Sequence, residues 1–163
     1  MSEGELVAYD RGRTPPMPAI VLGAMGLLPL LIALFVRLAA GANPDTPLPG
    51  KIGGLALTYA AMILSFLGGI WWGVASTRAT EEQRPRLLVI AVVPAILATL
   101  LYGFSADVPV VCSTLLGLVI ALTPLVDRKL DRMRLVPPWW MNLRLPLSLA
   151  LGALTIGLGF ALT

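Results

Sequence analysis

The sequence predicts an all-α membrane protein, a bundle of five transmembrane helices, and three observations carry that expectation. Hydrophobic residues make up 57% of the 163 and charged ones only 13%, where a soluble domain carries about a quarter charged. Ile52 to Thr77 runs for twenty-six residues without a charge, and about 20 apolar residues cross a hydrocarbon core of roughly 30 Å. The basic residues are confined to short connectors between such runs. Backbone groups in lipid have no water to bond, so each run must be helical.

Five charge-free segments follow one another, at about residues 17–36, 52–75, 87–104, 108–126 and 145–163. The first follows a tail of mixed charge, and no small-residue cleavage pattern comes after it. It is expected to be a retained helix and not a removed signal peptide. The connector Gly41–Gly50 is stiffened by Pro44, Pro47 and Pro49, and the residues around Asp107 form an equally short turn. Pro29, Pro94, Pro124 and Pro146 can each bend a helix by removing a backbone hydrogen bond. The connectors leave no room for a separate soluble domain, so residues 1–163 are read as one integral membrane unit.

Arg11, Arg13, Arg78, Arg84, Arg86, Arg128, Lys129, Arg132, Arg134 and Arg144 fall on the side of the N-terminus, and only Arg37 and Lys51 on the other. The positive-inside rule then places the N-terminus in the cytoplasm and the C-terminus outside a bacterial cytoplasmic membrane. The same rule accounts for the net charge of +3, and no nucleic-acid partner is expected.

Function classes are narrowed by absences in the sequence. There is no histidine, which removes the commonest metal ligand and general base together. Cys112 is the single cysteine, no carboxylate pair or nucleophile–base pair can be named, and Gly23–Gly26 is too short for a phosphate loop. No catalytic residue, metal or cofactor is expected. No Asp, Glu, Lys, Arg or His lies in the middle of any expected helix, where a charge costs about 2.5–3.5 kcal/mol and persists mainly for function. Polar groups at depth reduce to Thr58, Tyr59, Ser65, Thr99, Ser113 and Thr114. With no internal repeat, this fits a transporter poorly.

Two groups of residues remain as candidates. Ala61, Ser65, Gly69, Gly73 and Thr77 recur every four residues, forming a narrow smooth face for close helix packing. Its first expected use is packing inside the bundle, and its second is dimerisation. Trp71 and Trp72 end the second helix at the side where Trp139 and Trp140 sit, beside Asp127 and Arg144. These six residues are read either as an inner-leaflet ligand or lipid site or as structure. In the structural reading the tryptophans form an interfacial belt and Asp127–Arg144 locks adjacent helix ends. The basic connector between them is expected to attract anionic headgroups, about 1 kcal/mol per Lys or Arg.

The run Tyr59-Ala60-Ala61-Met62-Ile63-Leu64-Ser65-Phe66-Leu67-Gly68-Gly69-Ile70-Trp71-Trp72-Gly73 resembles the signature of a family of small multi-helix membrane proteins of unknown function, one that includes mitochondrial transmembrane protein 69. The resemblance extends to Pro29, to Asp127 and to Trp140-Met141-Asn142-Leu143-Arg144-Leu145-Pro146-Leu147. It implies an integral inner-membrane protein and supplies no reaction. Family members often carry histidine where this chain has Trp71.

Three functional readings follow, in this order. The first is a non-catalytic accessory, assembly or structural subunit that packs against a membrane-protein partner or a second copy. The second is a binder of a lipid, quinone or other amphiphile at the inner leaflet. The third is a small transporter.

Overall fold

The apolar runs all form helices. The computed structural model describes residues 12–40 and 48–161, and among these no strand occurs. Helices α1 (Met17–Met25) and α2 (Leu28–Ala40) share the first apolar run, followed by α3 (Leu48–Arg78), α4 (Arg84–Gly103), α5 (Pro109–Arg132) and α6 (Trp140–Ala161). Five stretches are long and apolar enough to span: Met17–Ala40, Gly50–Arg78, Arg84–Gly103, Pro109–Arg132 and Trp140–Ala161. Residues 41–47, with Pro44 and Pro47, lie outside the described residues, as do Arg11 and the last two positions.

Helix ends run past the charge-free limits. Backbone bonding does not stop where charge begins, and α5 continues to Arg132 while α6 starts at Trp140. Asp127 and Arg144, expected at helix ends, therefore lie inside helices, and both are buried.

The prolines act unequally. Pro29 has no N–H to offer the Met25 carbonyl, and the first span breaks into α1 and α2 at Gly26–Leu27. Leu27 N–H turns to the Ala24 carbonyl at 3.0 Å, and the Tyr59 hydroxyl of α3 donates to the Gly26 carbonyl at 3.0 Å. Helices α4, α5 and α6 stay continuous through Pro94, Pro124 and Pro146. In α5 the Ile120 carbonyl released by Pro124 is recovered by the Thr123 hydroxyl at 2.7 Å.

Two antiparallel hairpins, α3–α4 and α5–α6, form the most extensive contacts, and the first span closes against α3 and α6. The α5–α6 crossing is close because small residues face each other. A Cβ on Gly117 would meet the Gly152 carbonyl at 2.6 Å, and one on Gly159 would collide with the Ser113 hydroxyl. At the far end Arg37 donates its Nε–H to the Ala161 carbonyl, satisfying an open carbonyl at the end of α6.

At the basic end, α5 stops in a Schellman turn. Arg134 takes φ 55°, its N–H bonds to the Asp131 carbonyl at 2.9 Å, and Leu135 N–H bonds to the Leu130 carbonyl at 3.0 Å. Leu130 and Leu135 are both buried in one apolar cluster with Trp71 and Leu87, which fixes the turn. A left-handed conformation costs a residue bearing a Cβ roughly 1–2 kcal/mol. Arg134→Gly should therefore raise the unfolding midpoint of the detergent-extracted protein in a thermal scan, by the equivalent of up to about 1 kcal/mol.

Candidate functional site

Asp127 stands at the centre of the basic end of the bundle, with 0% of its surface exposed. Trp71 of α3 donates its Nε1–H to Asp127 Oδ1 at 2.9 Å, and Trp140 of α6 donates to the same oxygen at 3.2 Å. Arg144 of α6 donates its Nε–H to Oδ2 at 2.9 Å, forming the ion pair. Arg144 also reaches Thr123 Oγ1 through Nη2 at 3.4 Å, and its guanidinium carbon lies 6.0 Å from the Trp140 ring centre.

Helical spacing assembles these groups. Thr123 and Asp127 lie four apart on α5, as do Trp140, Arg144 and Ser148 on α6, so each set shares one face. Thr123 has given its proton to the Ile120 carbonyl, leaving its oxygen to accept. Ser148, 3.3 Å away, is then the donor in that pair. The polar network thus runs from Asp127 through Arg144 and Thr123 to Ser148, where Gly152 and the close α5–α6 crossing begin.

The six candidates do not share one environment. Trp71, Trp140, Asp127 and Arg144 come together in a single hydrogen-bonded cluster. Trp71 is only 5% exposed and packs in the apolar core of this end, so the belt reading is corrected for it. Trp72, next in the chain, is 49% exposed on the outer surface, where a belt residue would sit. Trp139 is half-buried and stacks at a tilt on Trp140, ring centres 5.8 Å apart. A donor role also suits the histidine that the family resemblance implies at position 71, since an imidazole N–H can serve the same oxygen.

The small-residue face needs a larger correction. Only Ala61 of the five is buried, and Ser65 is half-buried; Gly69, Gly73 and Thr77 face outward. A Cβ on Gly69 or Gly73 would meet nothing within 4 Å. The packing glycine of α3 is Gly68, where a Cβ would collide with the Ala91 carbonyl and meet the Pro94 ring at 3.3 Å. The rotation of α3 turns Gly68 inward and its neighbour outward. The internal seam lies instead at Ser113 and Gly117 on α5 and at Ser148, Gly152, Thr155 and Gly159 on α6. Sequence reasoning missed that pairing, although the i, i+4 spacing of small residues on both helices was available as a signal.

Beside the cluster lies a cavity of about 310 Å³ between the first span, α3 and α6. Its wall is apolar except at Tyr59, Ser148 and Arg144, with Trp140 beside the arginine. The break in the first span contributes Gly23, Gly26 and Leu27 to the lining. Among the described residues, no group of three or more metal-ligating side chains comes together.

These features define a multi-span helical membrane protein held by a buried ionic cluster at one end. Residues 15–160 match the family model described as "Protein of unknown function (DUF3429)", and the chain belongs to that family. Transmembrane protein 69 of Xenopus tropicalis is 30% identical over 146 residues, covering 87% of this chain and 54% of that protein. The chain thus spans about half the length of the curated relative it matches. No solved structure matches.

Removing one partner of a buried ion pair strands the other, at a cost of about 3–5 kcal/mol. Asp127→Leu and Arg144→Leu should each lower the thermal midpoint sharply in detergent. The double variant should lie well above the sum of the two losses, with a coupling of about 1–3 kcal/mol. Additive losses in circular-dichroism melts would show that the pair does not act as a unit.

Proposed function

We propose that this protein is a non-catalytic membrane scaffold, an accessory or assembly subunit whose α3 docks a helix of a membrane partner. One observation carries the reading: Gly69 and Gly73, four residues apart, face outward with nothing within 4 Å of either Cβ position. Glycine inside a helix costs about 0.8–1.0 kcal/mol relative to alanine, and no contact within the bundle repays it here. Met62, Phe66 and Trp72 are exposed on the same side, giving a shallow trough walled by bulky side chains. Ser76 and Thr77 bond back to the carbonyls of Trp72 and Gly73 at 2.8 and 2.7 Å, so these two hydroxyls make no polar demand on a partner. Close backbone approach at such a face supplies the van der Waals contact that drives helix association in lipid.

The absence of an enzymatic role is part of the same proposal. Among the described residues the one buried carboxylate, Asp127, is committed to three donors from two helices, a structural assignment that leaves it no reacting substrate. The bias of basic residues toward one end supports an N-terminus in the cytoplasm and anionic headgroups as neighbours there. A bacterial cytoplasmic membrane is the proposed location.

Adjacent glycines give the test. Gly69→Leu with Gly73→Leu should leave the thermal midpoint within about 1 kcal/mol, because both sites are open. It should also abolish co-purification of the partner, or the dimer mass, in gently extracted protein. Gly68→Leu should instead destabilise the fold. A double variant that keeps its partner removes the docking face, and the mass of the complex tells a second copy from another protein. Orientation is checked with single cysteines introduced into a Cys112→Ala background, in vesicles of known sidedness. An impermeant maleimide should label Asp107→Cys from outside and reach Arg132→Cys only after permeabilisation.

A further inference from the structure

The cavity between the first span, α3 and α6 has a polar end that the bundle does not use up. Arg144 is nine-tenths buried, and it lines the cavity. Its Nε is held by Asp127 and its Nη2 by Thr123. Nη1 donates to no group among the described residues. A guanidinium has five N–H donors in a fixed fork, and the buried side-chain nitrogens and oxygens without a partner among the described residues are Arg84 Nε and Thr114 Oγ1, so Arg144 Nη1 keeps an open side. Arg144 thus has a donor free to meet an acceptor that enters the cavity it lines.

We infer that the cavity binds a single-chain amphiphile whose uncharged head group presents oxygen acceptors to Arg144. The head-group class follows from charge: the Asp127–Arg144 pair is neutral as a unit, so an anionic head would enter a low-dielectric site with no excess positive charge to meet it. Carbonyl oxygens fit, whether carried by a prenylated quinone or by a monoacylglycerol. The flat wall of Trp140 beside the arginine suits a planar head as well as an ester.

The tail is sized by the helices. Arg144 to Leu151 on α6 is seven residues and Ile70 to Tyr59 on α3 is eleven, giving a depth of about 10–16 Å at 1.5 Å per residue. A volume of about 310 Å³ falls at the small end of the range for ligand sites, about 300–1,000 Å³, which favours one chain over the two of a phospholipid. Leu22 and Phe66 line the cavity and are exposed on the outer surface, so the site opens sideways into lipid. A longer tail leaves there. The break in the first span lines this opening with Gly23, Gly26 and Leu27, and the Tyr59 hydroxyl donates to the Gly26 carbonyl there.

The test uses the full chain in phosphatidylcholine nanodiscs with two photoactivatable probes, a diazirine-tailed quinone and a diazirine-tailed monoacylglycerol. Labelling mapped by peptide mass spectrometry should concentrate on the peptides carrying Leu22–Leu27, Tyr59–Ile70 and Leu143–Leu151. The stronger of the two probes identifies the source of the carbonyl. Arg144→Met also strands Asp127 and risks misfolding, so the deciding variant is Ile63→Phe with Leu147→Phe, which fills the cavity and leaves the ionic cluster intact. It should cut labelling at least tenfold with an unchanged melting curve. Labelling spread evenly over the lipid-facing surface, or undiminished in the filled variant, overturns the site. Competition by dodecyl phosphate as strong as by the uncharged probes overturns the head-group assignment. Either failure leaves the α3 docking face to its own test.

Discussion

A carboxylate with no exposed surface inside an apolar bundle persists only when both of its oxygens are answered, because an ion of that size loses several kcal/mol of solvation even after relaxation. At Asp127 the answer comes from two indole N–H groups and a guanidinium. Those donors sit on α3 and α6, while the acceptor sits on α5. Three helices are therefore fixed in rotation and depth at one end by a single side chain. Low dielectric strengthens each bond and makes the loss of any one expensive.

From that anchor the α5–α6 seam follows in order. Below Asp127 comes Thr123, which repairs the backbone gap made by Pro124 and still accepts from Arg144 and Ser148. Below Ser148 the side chains shrink to Gly117 and Gly152, then to Ser113 and Gly159. Polar bonding sets the register at one end, and the small residues convert that register into backbone contact along the remainder. In lipid, where the hydrophobic effect does not press helices together, such contact is the main source of association.

The same anchor divides labour among its own members. Asp127 has donors on both oxygens and acts as structure. Arg144 has donors left over and lies on a cavity wall, so it links the scaffold to the site proposed for an amphiphile. Helix α3 has a third assignment. Trp71 faces the cluster, Gly68 faces α4, and Gly69 with Gly73 faces away from the bundle. A rotation of about 100° per residue separates these three uses along one short stretch.

Much of the architecture was legible in the residues. The span count follows from charge-free length, and the proximity of Asp127 to Arg144 from their places beside one connector, whereas the four prolines read alike and only the structure showed that Pro29 accompanies a break. Less was legible at the site. Trp71 and Trp72 are chemically identical neighbours, and Gly68 and Gly69 likewise. Composition and spacing cannot say which of each pair turns inward, because that depends on the rotation of α3 about its own axis. The rotation is set by contacts with α4, α5 and α6, which lie far away in sequence. The chain alone determined that five apolar helices must bury their backbones in lipid, since that is a property of each segment and its solvent. Only the tertiary structure decided that a carboxylate near a helix end is the buried hub, that the smoothest stripe turns outward from Gly69 to Thr77, and that a broken span borders a cavity beside an arginine. Each of these depends on which faces meet.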